Sequence, residues 1–304
     1  MSVGLLCQLA GMTRQNYYKQ RSRRERLSVD HRLVLDLVRR ERARQPRLGG
    51  RKLLHMVGPE LRSAGVPLGR DRFFALLKEH DLLIPRRRRS ARTTDSRHGF
   101  AVYPNLAKDL LPTAPHQLLV ADLTYIRTSA GFMYLCLVMD AFSRMIVGYD
   151  SSDSLEMQGA LRALSRALKQ LPAEAQTMHH SDRGIQYCCG AYTRRLGQAG
   201  LTISMTETNH CYENSQAERL NGILKQEYGL GATFVSKSLV RPAVAEAVML
   251  YNHHRPHQSL GYQLPMQVHA AVPPAAWAAA APVALRAPSA AAAQAEPHPQ
   301  RANF

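Results

Sequence analysis

Residues 117–128, QLLVADLTYIRT, set one carboxylate inside an apolar run. Side chains alternate along a strand, so Leu118, Val120, Asp122, Thr124 and Ile126 share a face. A charge in the middle of that face is expensive unless it meets a partner or a cation. The bland alternative is an edge strand with Asp122 in water.

The residues downstream extend the pattern. SAG (129–131) makes a turn, FMYLCLVMDAF (132–142) a second strand and RMIVGYDSS (144–152) a third, an antiparallel meander. An amphipathic helix over 155–170, a short strand in QTMHHSD (176–182), a helix over 189–200, a strand in LTISMT (201–206) and a long helix over 215–228 follow. This order is that of the RNase H-like α/β fold, a five-stranded mixed sheet with helices. One more helix is expected over 236–253.

Two further acids have company in this order. In HSDRGIQY (180–187), Asp182 before Arg183-Gly184 reads locally as a turn, because Asp bonds its own backbone and Gly tolerates positive φ. If strands one and four are neighbours, Asp182 converges on Asp122. Glu218 in YENSQAERLNGILKQEY (212–228) completes a formal capping box, Ser215-x-x-Glu218. It also sits beside the apolar stripe Ala217, Leu220, Leu224, and Lys225 lies two turns on along its own face. Gly222, mid-helix, leaves room for a DNA backbone. Two aspartates and a glutamate make a hard, oxygen-only site of the kind that suits Mg²⁺. Asp140, before the turn AFSR, reads as a turn residue, and His179, His180, Cys188 and Cys189 match no zinc spacing.

Charge separates the chain into two parts. Residues 1–100 hold 24 Lys+Arg against 9 Asp+Glu, net +15, while the remaining 204 residues hold 16 against 14, net +2, within a total of +17. A basic front end implies a polyanion, with nucleic acid ahead of an anionic membrane surface. No apolar run approaches a membrane span. The start, MSVGLLCQLAG, has no basic n-region, and the five cysteines form no C-x-x-C pair, so a cytoplasmic protein is expected.

Inside the basic part, residues 4–19 read as a short helix, a break at Gly11 and a helix capped by Thr13. Charged helices follow over 29–44 and 50–64; then AGVPLGR breaks the pattern, and RDRFFALLKEHDL (70–82) buries Phe73, Phe74, Leu76 and Leu77. This resembles a helix-turn-helix with Arg51, Lys52, Arg70 and Arg72 toward DNA. PRRRRSARTTDSRHG (85–99), with Arg86, Arg87, Arg88 and Arg89, reads as a linker that contacts phosphate. The expected divisions are an N-terminal helical segment (1–28), an all-α helix-turn-helix DNA-binding domain (29–84), a basic linker (85–113), the α/β core (114–232), a C-terminal helix and extension (233–271), and a loose Ala/Pro-rich tail (272–304).

Between Asp122 and Asp182 lie 59 residues, and between Asp182 and Glu218 lie 35. With Lys225 seven beyond the glutamate, the chain resembles the D-D-E transposases of the retroviral-integrase-like superfamily, and more narrowly the OrfB proteins of bacterial insertion sequences. LCQLAGMTRQNYY, PRLGGRKLLHMV, VPLGRDRFFALLKEHDL, DLTYIRT, YLCLVMDAFSRMIVGY, HSDRGIQY, NHCYENSQAERLNGILKQEY and YNHHRPHQSLGYQLPMQ follow that family in order. Leu119 stands where the family usually has Trp, and YENS where YDNA is common; neither is a ligand position.

The resemblance implies an integrase catalytic core in which Asp122, Asp182 and Glu218 hold two Mg²⁺ ions, with Mn²⁺ substituting. It implies hydrolysis and strand transfer at insertion-sequence ends, with Lys225 on the end DNA. Arg219 is a further candidate DNA contact, and Arg183 and Arg144 either meet DNA or pair with local acids. Partners would be terminal-repeat and target DNA, a second copy on DNA, and an upstream-frame (OrfA-type) protein or a fusion with it, in a bacterial nucleoid. The rivals are a catalytically silent DNA-binding regulator and an RNase H-type nuclease on RNA–DNA hybrids.

Overall fold

The computed structural model describes residues 2–85, 100–108, 110–173, 175–207 and 214–272. Arg86 to Arg89, most of the expected linker and all but the first residue of the expected tail lie outside that set. The α/β core carries β1 (Leu118–Thr128), β2 (Gly131–Asp140) and β3 (Ile146–Ser152), then α5 (Met157–Leu168), β4 (Met178–Ser181), a short turn of helix α6 (Ile185–Cys188), α7 (Gly190–Gln198), β5 (Thr202–Met205), α8 (Ser215–Glu227), α9 (Val240–His254) and α10 (Pro265–Ala270). The sheet order is β3-β2-β1-β4-β5. β1 pairs antiparallel with β2 and parallel with β4, so the sheet is mixed and β1 is central. The edge-strand alternative for Asp122 is thereby removed.

β1 is apolar on both faces because both are covered. Leu118, Val120 and Ile126 pack with Leu220 and Leu224 of α8 and with Val244 and Tyr251 of α9. Leu119 and Ala121 face the other way, toward Ala160, Ala163 and Leu164 of α5 and Tyr192 of α7. Asp140, fully buried at the end of β2, accepts from the Ser143 N–H, the Ser143 hydroxyl and the His116 N–H, each at 2.7 Å. It is a turn residue, as its place in the sequence suggests. His179 and His180 are core residues, bonded to the Tyr192 hydroxyl and the Ser204 hydroxyl, both at 2.9 Å.

Before the core come α1 (Val3–Leu9), α2 (Arg14–Arg44), α3 (Gly50–Ser63) and α4 (Arg70–Glu79). Thr13 caps α2 through a bond from Asn16 N, and Gly11 takes φ +62°, as expected. The expected boundary at 28/29 does not exist in the backbone. One 31-residue helix runs through it, because residues 20–44 contain neither Gly nor Pro to stop it. The second half of α2 packs with α3 and α4 around Val34, Val38, Leu53, Val57, Phe73 and Leu77. Phe74, expected in this core, lies only at its margin. Among the described residues no helix is long and apolar enough to cross a membrane.

A polar contact fixes this helical module on the core. Lys52 Nζ lies 2.7 and 2.8 Å from the two Glu227 oxygens, and Arg255 grips the same carboxylate at 2.8 and 3.0 Å. Gln45 bridges the His254 carbonyl and the Tyr228 hydroxyl, both at 3.1 Å. Burial and the like charge of Arg255 push Lys52 down to about 8, with Glu227 pulling back, while Arg255 and Lys52 hold Glu227 below its ordinary value against the opposing effect of burial. A depressed carboxylate stabilises above its unfolded pKa and ceases to as pH falls through its folded value, so acid loosens this contact.

Glu227→Gln leaves two buried cations unpaired and should cost about 3–5 kcal/mol, a fall of roughly 10 °C in melting temperature by calorimetry. Lys52→Met keeps the bidentate Arg255 pair and should cost less than about 1 kcal/mol. Equal losses from both would contradict the ranking.

Candidate active site

The β1–β4 register runs from Leu118↔Met178 to Ala121↔Ser181. The next residue on each side is Asp122 and Asp182, close enough that the charge of Asp182 raises Asp122. β4 ends there because the chain turns: Gly184 N donates to Asp182 Oδ1 at 3.0 Å. Gly184 does not supply positive φ, as the sequence suggests; its φ is −64°. It supplies space, since a Cβ there would lie 3.0 Å from Asp182 Oδ1.

α8 brings the third carboxylate. Its N-cap is Asn214, not Ser215, and no side chain closes a cap, so Glu218 is not spent on a capping box. Instead two asparagines tie the helix to β1. Asn214 Nδ2 donates to the Ala121 carbonyl at 3.0 Å, and Asn221 Nδ2 donates to Asp122 Oδ2 at 2.7 Å. Glu218, Asn221 and Lys225 stand at i, i+3 and i+7 along one line of the helix. Glu218 is exposed, Asn221 buried and Lys225 half-buried.

The electrostatics follow from this crowding. Desolvation, then the neighbouring charge of Asp182, then a smaller push from Glu218, raise Asp122 to about 7; bonds from Leu123 N and Asn221 oppose the rise. Lys225 is lowered mainly by burial, and Asp122 partly restores it. The three acids share one electrostatic neighbourhood. They do not form a finished coordination sphere: among the described residues no three His, Cys, Asp or Glu side chains stand close enough to hold an ion. Asp122 has both oxygens engaged, by Leu123 N at 2.8 Å and by Asn221, and Asp182 bends back to Gly184. The donor set nonetheless fits a hard divalent cation. It is all oxygen, and its mutual repulsion is what a cation relieves.

Other expected contacts are placed unevenly. Arg219 is exposed beside Glu218, and Arg51 and Arg72 are exposed on the helical module. Arg70 is exposed too, with Asp71 at 2.9 Å. Lys52 is corrected from a DNA contact to an internal strut, because its ammonium is held by Glu227. Arg183 Nε donates to the Thr206 carbonyl at 2.6 Å, which ties the Asp182 turn to β5. Arg144 adopts φ +64° in the turn after β2 and is partly withdrawn from solvent, near Tyr251 and Asp140. Arg255 packs on the core, against Glu227. Asn214 and Asn221 were missed as site residues; the available signal was two asparagines seven apart on the stripe that also carries Ala217 and Leu224.

The sequence matches two family models described as integrase core domain, over residues 112–211 and 199–265. The "Insertion element IS600 uncharacterized 31 kDa protein" of Shigella sonnei is 36% identical over 84% of this chain and 94% of its own length. The "Transposase InsF for insertion sequence IS3A" of Escherichia coli (strain K12) is 30% identical over 88% and 93%. Among solved structures, the HTLV-2 integrase catalytic core domain in complex with magnesium is similar at 16% identity and a TM-score of 0.41, over 52% of this chain and 98% of that one.

Asn221→Ala should keep the fold and lower the rate of the site's reaction about 10- to 100-fold, the usual effect of losing a residue that orients a ligand; an unchanged rate rejects the role. At Gly222 a Cβ meets nothing within 4 Å. Gly222→Ala should therefore raise stability by about 1 kcal/mol while weakening DNA binding, and a stabler variant with full activity removes the idea that DNA approaches there.

Proposed function

The chain belongs to the insertion-sequence transposases that carry an integrase core domain, and on that premise we propose that Asp122, Asp182 and Glu218 form the metal-dependent centre at which it cuts and joins DNA. The observation that supports this is the shared neighbourhood of three carboxylates from β1, the end of β4 and α8, where burial first, then the charge of Asp182 and a smaller push from Glu218 raise Asp122 to about 7. A structural role for Asp122 would call for a cationic partner, and the side chain that meets it is the neutral Asn221.

Asp122 and Asp182 would hold two Mg²⁺ ions, or Mn²⁺ in their place, with Glu218 completing the set. When bound, the ions supply Lewis acidity to the attacking and leaving oxygens. The protein positions the rest. Asp122 is anchored at the centre of the sheet, where Asn221 fixes its oxygen. Glu218 stands on the exposed side of α8, where a duplex arrives, and Lys225 and Arg219 on the same helix meet its phosphates. Water attacks a phosphodiester at the element's end; the new P–O bond forms as the old one breaks, freeing a 3′ hydroxyl. That hydroxyl attacks a second strand by the same in-line exchange, and no covalent enzyme–DNA bond is needed.

Arg51, Arg70 and Arg72 give the helical module a basic surface suited to a helix-turn-helix on duplex DNA. Joining two ends calls for two active sites, hence an oligomer on DNA, with an upstream-frame protein as a further partner.

Labelled element ends incubated with Mg²⁺ test the reading. Wild type, alone or with the upstream-frame protein, should nick and join them. Asp182→Asn should raise the barrier by at least about 3 kcal/mol, roughly 10²-fold in rate. Full activity in that variant removes the metal assignment, and inert wild type removes the enzyme reading.

A further inference from the structure

The first half of α2 leaves the body of the protein. From Tyr18 through Val29 every residue is exposed, and burial begins only at Val34. At 1.5 Å per residue this stretch is a rod of roughly 18 Å. Isolated helices of about this length are marginal in water. A helix that is polar all round persists by bridging to another body or through many i,i+4 pairs. Among the described residues one such pair supports it, Arg21–Glu25 at 2.9 Å.

Its charges indicate the missing partner. Residues 14–29 hold Arg14, Lys19, Arg21, Arg23, Arg24 and Arg26 against Glu25. Lys19, Arg23 and Arg26 stand at i, i+4 and i+7, within about 60° of one another, while Arg21 and Glu25 occupy the opposite face. Lys19 and Arg23 therefore repel across one turn and work against the helix. A polyanion reverses the sign of that contribution. The exposed apolar side chains form no continuous stripe for a protein partner: Tyr18 and Val29 share a side, and Leu27 lies on the opposite one.

We propose that the Lys19–Arg23–Arg26 face of α2 grips the phosphate backbone of duplex DNA, as an arm additional to the α3–α4 module. The proposal rests on the reading of the chain as a DNA-acting transposase, and it is independent of the metal chemistry. Phosphate contacts release counterions, so the arm sets part of the salt dependence of binding and carries no base specificity.

The test uses the full chain, a fluorescent random-sequence duplex and EDTA, with anisotropy measured across salt concentrations. Replacing Lys19, Arg23 and Arg26 together by Gln should lower the magnitude of the log K against log salt slope by about 2.7, at about 0.9 per phosphate. Lys19→Arg with Arg23→Lys and Arg26→Lys should restore the wild-type slope, and Arg21→Gln should leave it unchanged. Far-UV circular dichroism and melting should show the triple variant folded. If it is not, Arg23→Gln alone should lower the slope by about 0.9. An unchanged slope overturns the arm and leaves the active site untouched. A kept slope with altered sedimentation assigns the face to a second copy and also overturns it. Wild type that binds no duplex at any salt overturns both the arm and the DNA-acting premise.

Discussion

The fold is organised around the difficulty of keeping Asp122 charged in the central strand of a mixed sheet. Leu118, Val120 and Ile126 hold its face of β1 in the core, and Asp182 stands on the next strand. Burial and like charge both favour the neutral acid, and two hydrogen bonds only partly offset them. A carboxylate so placed is unfavourable for the protein alone and well suited to a cation. α8 must lie where it does for the same reason. Asn214 and Asn221 satisfy the β1 carbonyl and the Asp122 oxygen, and that attachment presents Glu218 and Lys225 together at the rim.

A second polar contact, of a different kind, sets the helical module on the core. Glu227 closes α8, so the carboxylate held by Lys52 and Arg255 belongs to the same helix that carries Glu218. Between a buried asparagine near one end and a buried ion triad at the other, α8 is held along its length. The helical module is therefore joined through α3 to the helix that carries Glu218 and Lys225. The basic side chains divide accordingly. Lys52 and Arg255 are held by Glu227, whereas Arg51, Arg72 and Arg219 face solvent.

Much of the architecture was legible because it is local. Short apolar runs bounded by turns located the five strands, helical spacing located α5, α7, α8 and α9, and Gly11 with Thr13 marked the end of α1 and the start of α2. Misreadings came where a local signal was weak or ambiguous. Ser215-x-x-Glu218 matches a capping box, the bland alternative for Glu218, but Asn214 stands at the N-cap and no side chain closes it. The 28/29 boundary fell between two stretches read as separate helices, 4–19 and 29–44, but no residue there breaks a helix. α6 and α10 span only four and six residues, too short for periodicity to show.

The sequence by itself determined the order of the elements, the basic character of the first hundred residues, and the three acids at their intervals. These are properties of residue type and spacing along the chain. Tertiary structure alone decided which neighbours those acids have. Parallel pairing of β1 with β4 sets Asp182 beside Asp122, and the packing of α8 gives Asp122 an asparagine rather than a cation. The same kind of long-range contact turned Lys52 from a surface charge into a strut. Burial, and the fields that charges feel once buried, depend on elements far apart in sequence, and no spacing rule reaches across 175 residues to pair Lys52 with Glu227.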